Sequence, residues 1–280
     1  MVKRLLTKGL LAGAGLALLA ASAQAQQSDV PKALELDYQI WTGGLQAVSL
    51  ETRLVRGLND YQVDVAAQTE GMIGRLFPFK MTARTFGERD PEAAGGLQPQ
   101  RYGVRSKWRD QDRRVHIRYG EQGEPLIKVD PPAAEDDRDE VPPEQIAGAL
   151  DPMSAVVSLM EQVSASGRCE GEVAIFDGRR RYDMVVRHIG AAVLEPNDYS
   201  PYAGPATECR AGLRPVSGFW RDPKKRESSY NEVKVYIAPV FEGLPAVPVR
   251  LEAKREFVGV RIHMTDARLS NGVVPAGLDF

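Results

Sequence analysis

Along most of this chain hydrophobic residues alternate with polar ones at the two-residue period of a β-strand that keeps one face in water. Leu34, Leu36, Tyr38 and Ile40 share one parity, and Glu35, Asp37 and Gln39 take the other. Val48, Leu50 and Leu54 repeat this against Ser49, Glu51 and Arg53, and Tyr61, Val63, Val65 and Ala67 do so against Gln62, Asp64 and Gln68. Gly43-Gly44 and the run from Gly57 to Asp60 supply turns, so these strands read as an antiparallel meander. The pattern resumes at Tyr102, Val104 and Trp108 and at Val115, Ile117 and Tyr119, with a hairpin tip from Asp110 to Asp112. It continues in Tyr182-Met184-Val186, Val233-Val235-Ile237, Val249-Leu251-Ala253 and Val258-Val260-Ile262-Met264.

One segment changes period. Met153, Val156, Val157, Met160 and Val163 recur every three or four residues and line one face of a helix over about 151–163. Asp151 is placed to cap it, and Pro152 takes the first helical position, where its missing N–H costs nothing. Ahead of it, Pro131 to Pro143 carries five acidic residues between Pro-Pro pairs and reads as an exposed linker. The expected fold is mainly β: a large curved antiparallel sheet or partly closed barrel with one amphipathic helix. Its strands fall into two groups, 33–130 and 167–270, within a single β-rich domain over 26–280.

The N-terminus sets the expected address. Lys3, Arg4 and Lys8 precede an apolar stretch from Gly9 to Ala21 and the small-residue site Ala23-Gln24-Ala25, the three parts of a cleavable signal peptide over 1–25. The apolar run ends short of the roughly 20 residues that a spanning helix needs. Export to the periplasm follows, with no stable membrane insertion after cleavage. Loss of the leader removes three basic residues and no acid, so the formal charge of −2 becomes more negative, which speaks against nucleic acid as a partner.

An oxidising compartment gives the two cysteines, Cys169 and Cys209, their simplest reading as one disulfide. It would pin the Pro/Gly-rich loop from Pro196 to Pro205. Thiol catalysis is the competing reading, but no histidine lies near either cysteine in sequence. His116 and His263 fall on the polar parity of their strands and read as exposed side chains, whereas His188 shares parity with core positions. The chain has no His-Glu-x-x-His pair, Gly-x-Ser-x-Gly elbow or phosphate loop, and the acidic linker lacks the calcium-loop arrangement. Neither a cofactor nor a metal is expected.

Several motifs follow one another in a family order: Tyr38-x-x-Trp41-x-Gly43-Gly44, Thr69-x-Gly71, Asp151-Pro152-x-Ser154, and the run Phe176-Asp177-Gly178-Arg179-Arg180-Arg181-Tyr182-Asp183. Tyr202-x-Gly204-x-Ala206-x-x-Cys209 and Val247-Pro248-Val249-Arg250 complete them. Together they resemble the exported bacterial family called domain of unknown function 3108. The resemblance implies a periplasmic, mostly β protein and brings no catalytic residues with it.

Two classes of function compete. In the first, a non-catalytic protein binds an apolar or amphiphilic envelope molecule, or an envelope partner protein. Met72, Ile73, Leu76, Phe77, Pro78 and Phe79 are then either the lip of the site, with Phe77 and Phe79 as contacts, or a core-packed turn. Arg179, Arg180 and Arg181 are either an anion contact or the basic flank of a β-turn at Asp177-Gly178. The second class is a cell-envelope hydrolase with dispersed carboxylate catalysts, for which facing carboxylates on inner strands would be needed.

Overall fold

The structure, a computed structural model, describes residues 32–120, 125–132, 137–222, 232–254 and 259–272. The expected leader, 1–25, lies outside the described residues. Seven strands come first: β1 (Lys32–Thr42), β2 (Leu45–Arg56), β3 (Asp60–Thr69), β4 (Phe79–Arg89), β5 (Leu97–Trp108), β6 (Gln111–Tyr119) and β7 (Pro125–Asp130), with the short helix α1 (Gly71–Leu76) between β3 and β4. Helices α2 (Pro143–Ile146) and α3 (Pro152–Ser166) follow. The remaining strands are β8 (Gly171–Phe176), β9 (Arg181–Leu194), β10 (Gly204–Ser217), β11 (Val233–Ala238), β12 (Val247–Lys254) and β13 (Gly259–Asn271).

Among the described residues these thirteen strands pair antiparallel in one open sheet, in the order β7-β6-β5-β4-β3-β2-β1-β13-β12-β11-β10-β9-β8. Neighbours in space are neighbours in sequence except at the centre, where β1 takes β13 from Lys32 opposite Asn271 to Thr42 opposite Val260. That pairing joins the two strand groups into a continuous sheet.

The sheet curls around α3. Leu34, Leu36 and Tyr38 of β1, Leu54 of β2, Tyr61 and Val63 of β3, and Met264 of β13 are buried with Val157 and Met160 of the helix. Leu159 and Val163 meet Tyr182, Met184 and Val186 of β9, Val235 of β11 and the Cys169–Cys209 disulfide. Each such buried aliphatic side chain is worth about 1.5–3 kcal/mol relative to leaving it in water, so the helix is held from two sides. Val156 remains exposed.

The helix start is anchored by a buried polar network. Asp151 is fully buried and accepts from the backbone N–H groups of Met153 and Ser154, both at 3.0 Å, and from Thr85 Oγ1 of β4 at 2.9 Å. Ser154 Oγ also donates to Asp151 and lies 2.7 Å from the Tyr61 hydroxyl. Gly167, in the left-handed region at φ 68°, ends the helix with its N–H on Val163 O.

The two edges of the sheet approach through the loop before α3. Leu150 pairs with the free edge of β8: its N–H donates to Ala174 O, and Phe176 N–H donates to Leu150 O, each at 2.9 Å. Phe176 packs with Tyr102 of β5 and Val115 and Ile117 of β6, and Ile146 and Ala149 fill the same cluster. Side chains rather than a ladder thus span the gap. The segment expected to be an exposed linker is docked in its described second half: Arg138 lies 3.9 Å over the Trp220 ring, and Asp139 N–H donates to Phe219 O at 2.8 Å.

Candidate functional site

At one end of the sheet the β1–β2 turn, the β3–β4 connection and the β5–β6 turn form a rim. The β3–β4 connection is α1 with the following Phe77 and Pro78, and it is bound on both sides. Glu70 N–H donates to Ala47 O, and the Glu70 carboxylate accepts from Ser49 Oγ at 2.7 Å and Gln68 Nε2 at 2.9 Å, bonds that lower its pKa. Thr69 Oγ1 donates to Phe77 O and accepts from Phe79 N–H, each at 3.0 Å. Gly74 must be glycine, because a Cβ there would lie 2.7 Å from Thr69 O.

This bracing points apolar side chains at solvent. Met72 is 76 % exposed, Leu76 62 %, Phe77 45 % and Trp108 44 %. A cluster of this kind marks an interaction surface rather than the scatter of single apolar residues found on any protein. Phe79 is half-buried against Trp108, with ring centroids 6.0 Å apart, while the Arg109 guanidinium lies 5.8 Å over Phe77. The Phe77 and Phe79 of the expected lip therefore divide their roles: one faces outward and the other supports Trp108. Arg75, Lys80, Lys107 and Arg109 surround the cluster and are exposed. Lys80 and Lys107 stand directly opposite across β4 and β5, and Arg105 and Arg114 across β5 and β6.

The arginine run sits on a different hairpin. Asp177 Oδ1 accepts from the N–H groups of Arg179 and Arg180, and its Oδ2 takes Arg180 Nε at 2.8 Å. Arg179 donates to Pro131 O, and Arg181 donates to Asp183 at 2.6 Å and to Gln145 O at 3.0 Å. Burial would raise the Asp183 pKa, but Arg181 and Arg214 outweigh it and hold the carboxyl below its ordinary value. These guanidinium groups tie the β8–β9 hairpin to the segments beside it.

Cys169 and Cys209 are joined, with Cα atoms 6.1 Å apart. His188 Nδ1 lies 3.6 Å from Cys169 Sγ, a neighbour invisible in sequence, but the sulfur is spent in the disulfide. The bond closes β10 onto the segment before β8, and the strand begins at Gly204, so the irregular loop is shorter than the sequence suggested.

Two further concavities lie on the outer face. A groove of about 450 Å³ crosses β13 and β1–β6 over a ladder of alternating charge, in which Glu35 meets Arg53 at 4.0 Å and Arg268 at 3.6 Å, and Asp64 pairs Arg84. Burial and the nearby Arg105, Lys128 and Arg114 lower the pKa of His116 at its far side. A second pocket, of about 310 Å³, is lined by Trp41, Tyr199, Arg261 and His263 with Gly43, Gly44 and Gly259. His263 corrects the expectation from parity: it is 4 % exposed, because the β9–β10 loop folds over its strand and lays Tyr199 on its ring.

The buried carboxylates among the described residues, Asp151 and Asp183, are each saturated by hydrogen bonds and sit in separate clusters. No group of three or more His, Cys, Asp or Glu among the described residues could hold a metal ion. No helix among them is long and apolar enough to cross a membrane.

The molecule is thus an open, curled antiparallel sheet wound around one helix, with an apolar, basic-flanked rim. The profile of the family described as protein of unknown function (DUF3108) matches residues 37–265, and the chain belongs to that family. No curated protein matches the chain. Among solved structures, a β-barrel-like protein of domain of unknown function DUF1849 from Brucella abortus is similar at 10 % identity and a TM-score of 0.47, over 86 % of this chain and 98 % of that one.

Proposed function

We propose that this is a non-catalytic periplasmic protein that binds anionic, amphiphilic envelope molecules at the rim formed by α1 and the β5–β6 turn. The observation that carries the reading is the braced cluster of Met72, Leu76, Phe77 and Trp108, exposed to solvent and bordered by Arg75, Lys80, Lys107 and Arg109. Apolar side chains would enter the acyl region while the cations meet headgroup phosphates, the arrangement by which peripheral proteins hold an amphiphile. The like-charged cross-strand pairs Lys80–Lys107 and Arg105–Arg114 repel in the free protein. An anionic partner relieves that repulsion. The N-terminal leader pattern and the disulfide support the exported address.

Co-sedimentation with phosphatidylglycerol vesicles, against phosphatidylcholine vesicles as control, tests the proposal. The mature chain should bind the anionic vesicles, and Met72→Asp with Phe77→Asp should weaken binding at least about tenfold, since each charge placed in the apolar layer is opposed by several kcal/mol. The melting temperature should hold, because both side chains are exposed. Undiminished binding by the folded double variant removes this site. Turnover of a cell-wall or polysaccharide fragment by the pure protein replaces binding with hydrolysis.

A further inference from the structure

The outer face of β13 and β1–β7 is charged toward both sides, but its two halves are built differently. From β13 to β4 the charges alternate across the strands: Arg268 pairs Glu35, Glu35 meets Arg53, and Arg84 pairs Asp64. Like-charged neighbours elsewhere share a counter-ion, since Arg268 binds both Asp37 and Asp266, and Glu232 binds both Arg187 and Arg210. Toward the β7 edge this neutralisation stops.

There, like charges stand directly opposite one another in succession: Lys80 and Lys107 across β4 and β5, then Arg105 and Arg114, and further along Arg101 and Arg118, across β5 and β6. Lys128 of β7 lies opposite His116. These lysines and arginines are exposed, and none forms an ion pair among the described residues. Asp112, opposite Lys107, and Asp130, opposite Arg114, close no ion pair with them. Burial first, then Arg105, Lys128 and Arg114, lower the pKa of His116, the imprint of this positive field. Like charges directly opposite are destabilising, and the chain as a whole has a formal charge of −2, so cations are gathered on this face rather than spread.

Lys80 and Lys107 border the apolar rim, and the positions that follow lead away from it. Measured along the strands from Lys107, Arg105 and Arg114 lie about 7 Å on, Lys128 about 13 Å and Arg101 about 20 Å. The polar layer of one leaflet is only about 5–8 Å deep. With the rim at the acyl boundary, a head of one phosphate meets the bordering cations and leaves the rest of the row unused. Gly103 stands opposite both Arg84 and His116 and contributes no side chain. The groove of about 450 Å³ therefore stays open between Arg105 and His116, with room for a ring.

We infer, on the strength of the rim reading, that the amphiphile held there carries a large head, a sugar or polyol ring bearing several phosphates, which lies along the outer face of β4–β7 over Arg105, Arg114 and Lys128. Guanidinium groups take phosphate oxygens bidentately, and a phosphate set between two of these cations replaces their repulsion by attraction.

Phosphatidylcholine vesicles carrying either phosphatidylglycerol or phosphatidylinositol trisphosphate, matched for total charge, test this with the mature chain. Co-sedimentation should show about tenfold tighter binding to the trisphosphate vesicles. Arg105→Ala with Arg114→Ala should bring the two affinities level while holding phosphatidylglycerol binding within about threefold. Tm should hold, because both side chains are exposed. Should that variant fail to fold, Lys128→Gln, on another strand, should cut the preference about threefold. Equal binding of the unaltered chain to the two vesicles, or a preference that survives in the folded double variant, overturns the large head and leaves the rim standing. Binding to neither vesicle is failure of the rim reading and takes this inference with it. The deacylated trisphosphate lipid, which keeps the head and loses the chains, separates the sources of phosphate: it should bind at least about tenfold more weakly than the vesicles, and equal affinity would overturn the amphiphile in favour of a free polyphosphate.

Discussion

The start of α3 and the Trp41–His263 pocket both bury polar side chains between a strand and a non-strand segment, and they do so in opposite ways. At the helix, the Asp151 carboxylate receives two backbone N–H groups and two hydroxyls, and Tyr61 completes the chain of bonds. In the pocket, the Trp41 indole N–H and His263 Nδ1 are buried with no partner among the described residues. The free energy of leaving such atoms unmet is of the same order as the net worth of a made hydrogen bond. The first region therefore stabilises the fold, whereas the second leaves bonding capacity unmet.

Breaking the architectural side has the largest expected effect. Asp151→Ala removes a helix cap, worth about 1 kcal/mol, and the bonds that the Thr85 and Ser154 hydroxyls donate to the carboxylate, worth about 2 kcal/mol together. The expected loss of about 3 kcal/mol lowers Tm by roughly 10 °C, measurable by circular dichroism. A change of less than about 1 kcal/mol would mean that the network is not what fixes the helix.

A smaller effect is expected from pH, and it sharpens the contrast by its sign. His263 has a lowered pKa in the folded protein, from burial first and from Arg250 and Arg261 second. Between that value and the ordinary histidine value of about 6.5, the unfolded chain binds a proton that the folded chain refuses. Its contribution is full above that window and is lost as pH falls through it. Urea unfolding at about pH 7.5 and about pH 5.5 should show lower stability in acid, and His263→Phe should reduce the difference. Asp151 runs the other way: burial raises its pKa, so its contribution is lost as pH rises from the ordinary aspartate value through the folded one.

The smallest effect is expected for His263→Phe at neutral pH. Replacing an unpartnered ring nitrogen by an apolar ring of similar shape should change stability by no more than about 0.5 kcal/mol in either direction. A loss of about 2 kcal/mol would reveal a structural bond at His263 and erase the contrast with Asp151.

The strands β1–β3, β5 and β6 were legible because their inner positions are large and apolar and their outer ones charged. β4 was not. Its inner positions include Thr85, which serves Asp151, and Gly87, where a Cβ would lie 2.7 Å from the Tyr61 hydroxyl and 2.6 Å from Gln98 O. Packing against α3 favoured small and polar residues there, and these erase the alternation. β10 was hidden by Gly204, Pro205, Gly212 and Pro215, which imitate a loop while the strand pairs with β9 through two register shifts.

Of the candidate sites, Phe77 was legible as part of the most apolar stretch beyond the N-terminal one, but Trp108 and the basic border joined it through strand pairing. The Cys169–Cys209 bond needed no geometry, since two cysteines allow one intramolecular pairing. Periodicity, the Asp151-Pro152 cap and cysteine count are local or combinatorial properties, and the sequence by itself determined the strand-rich class, the helix and the disulfide. The burial of His263 depends on Tyr199, 64 positions away in sequence. A β9–β10 loop must fold across β1 and β13 before either ring meets the other. Only the tertiary structure decided that a residue on the watery face of its strand would be buried beneath a distant loop.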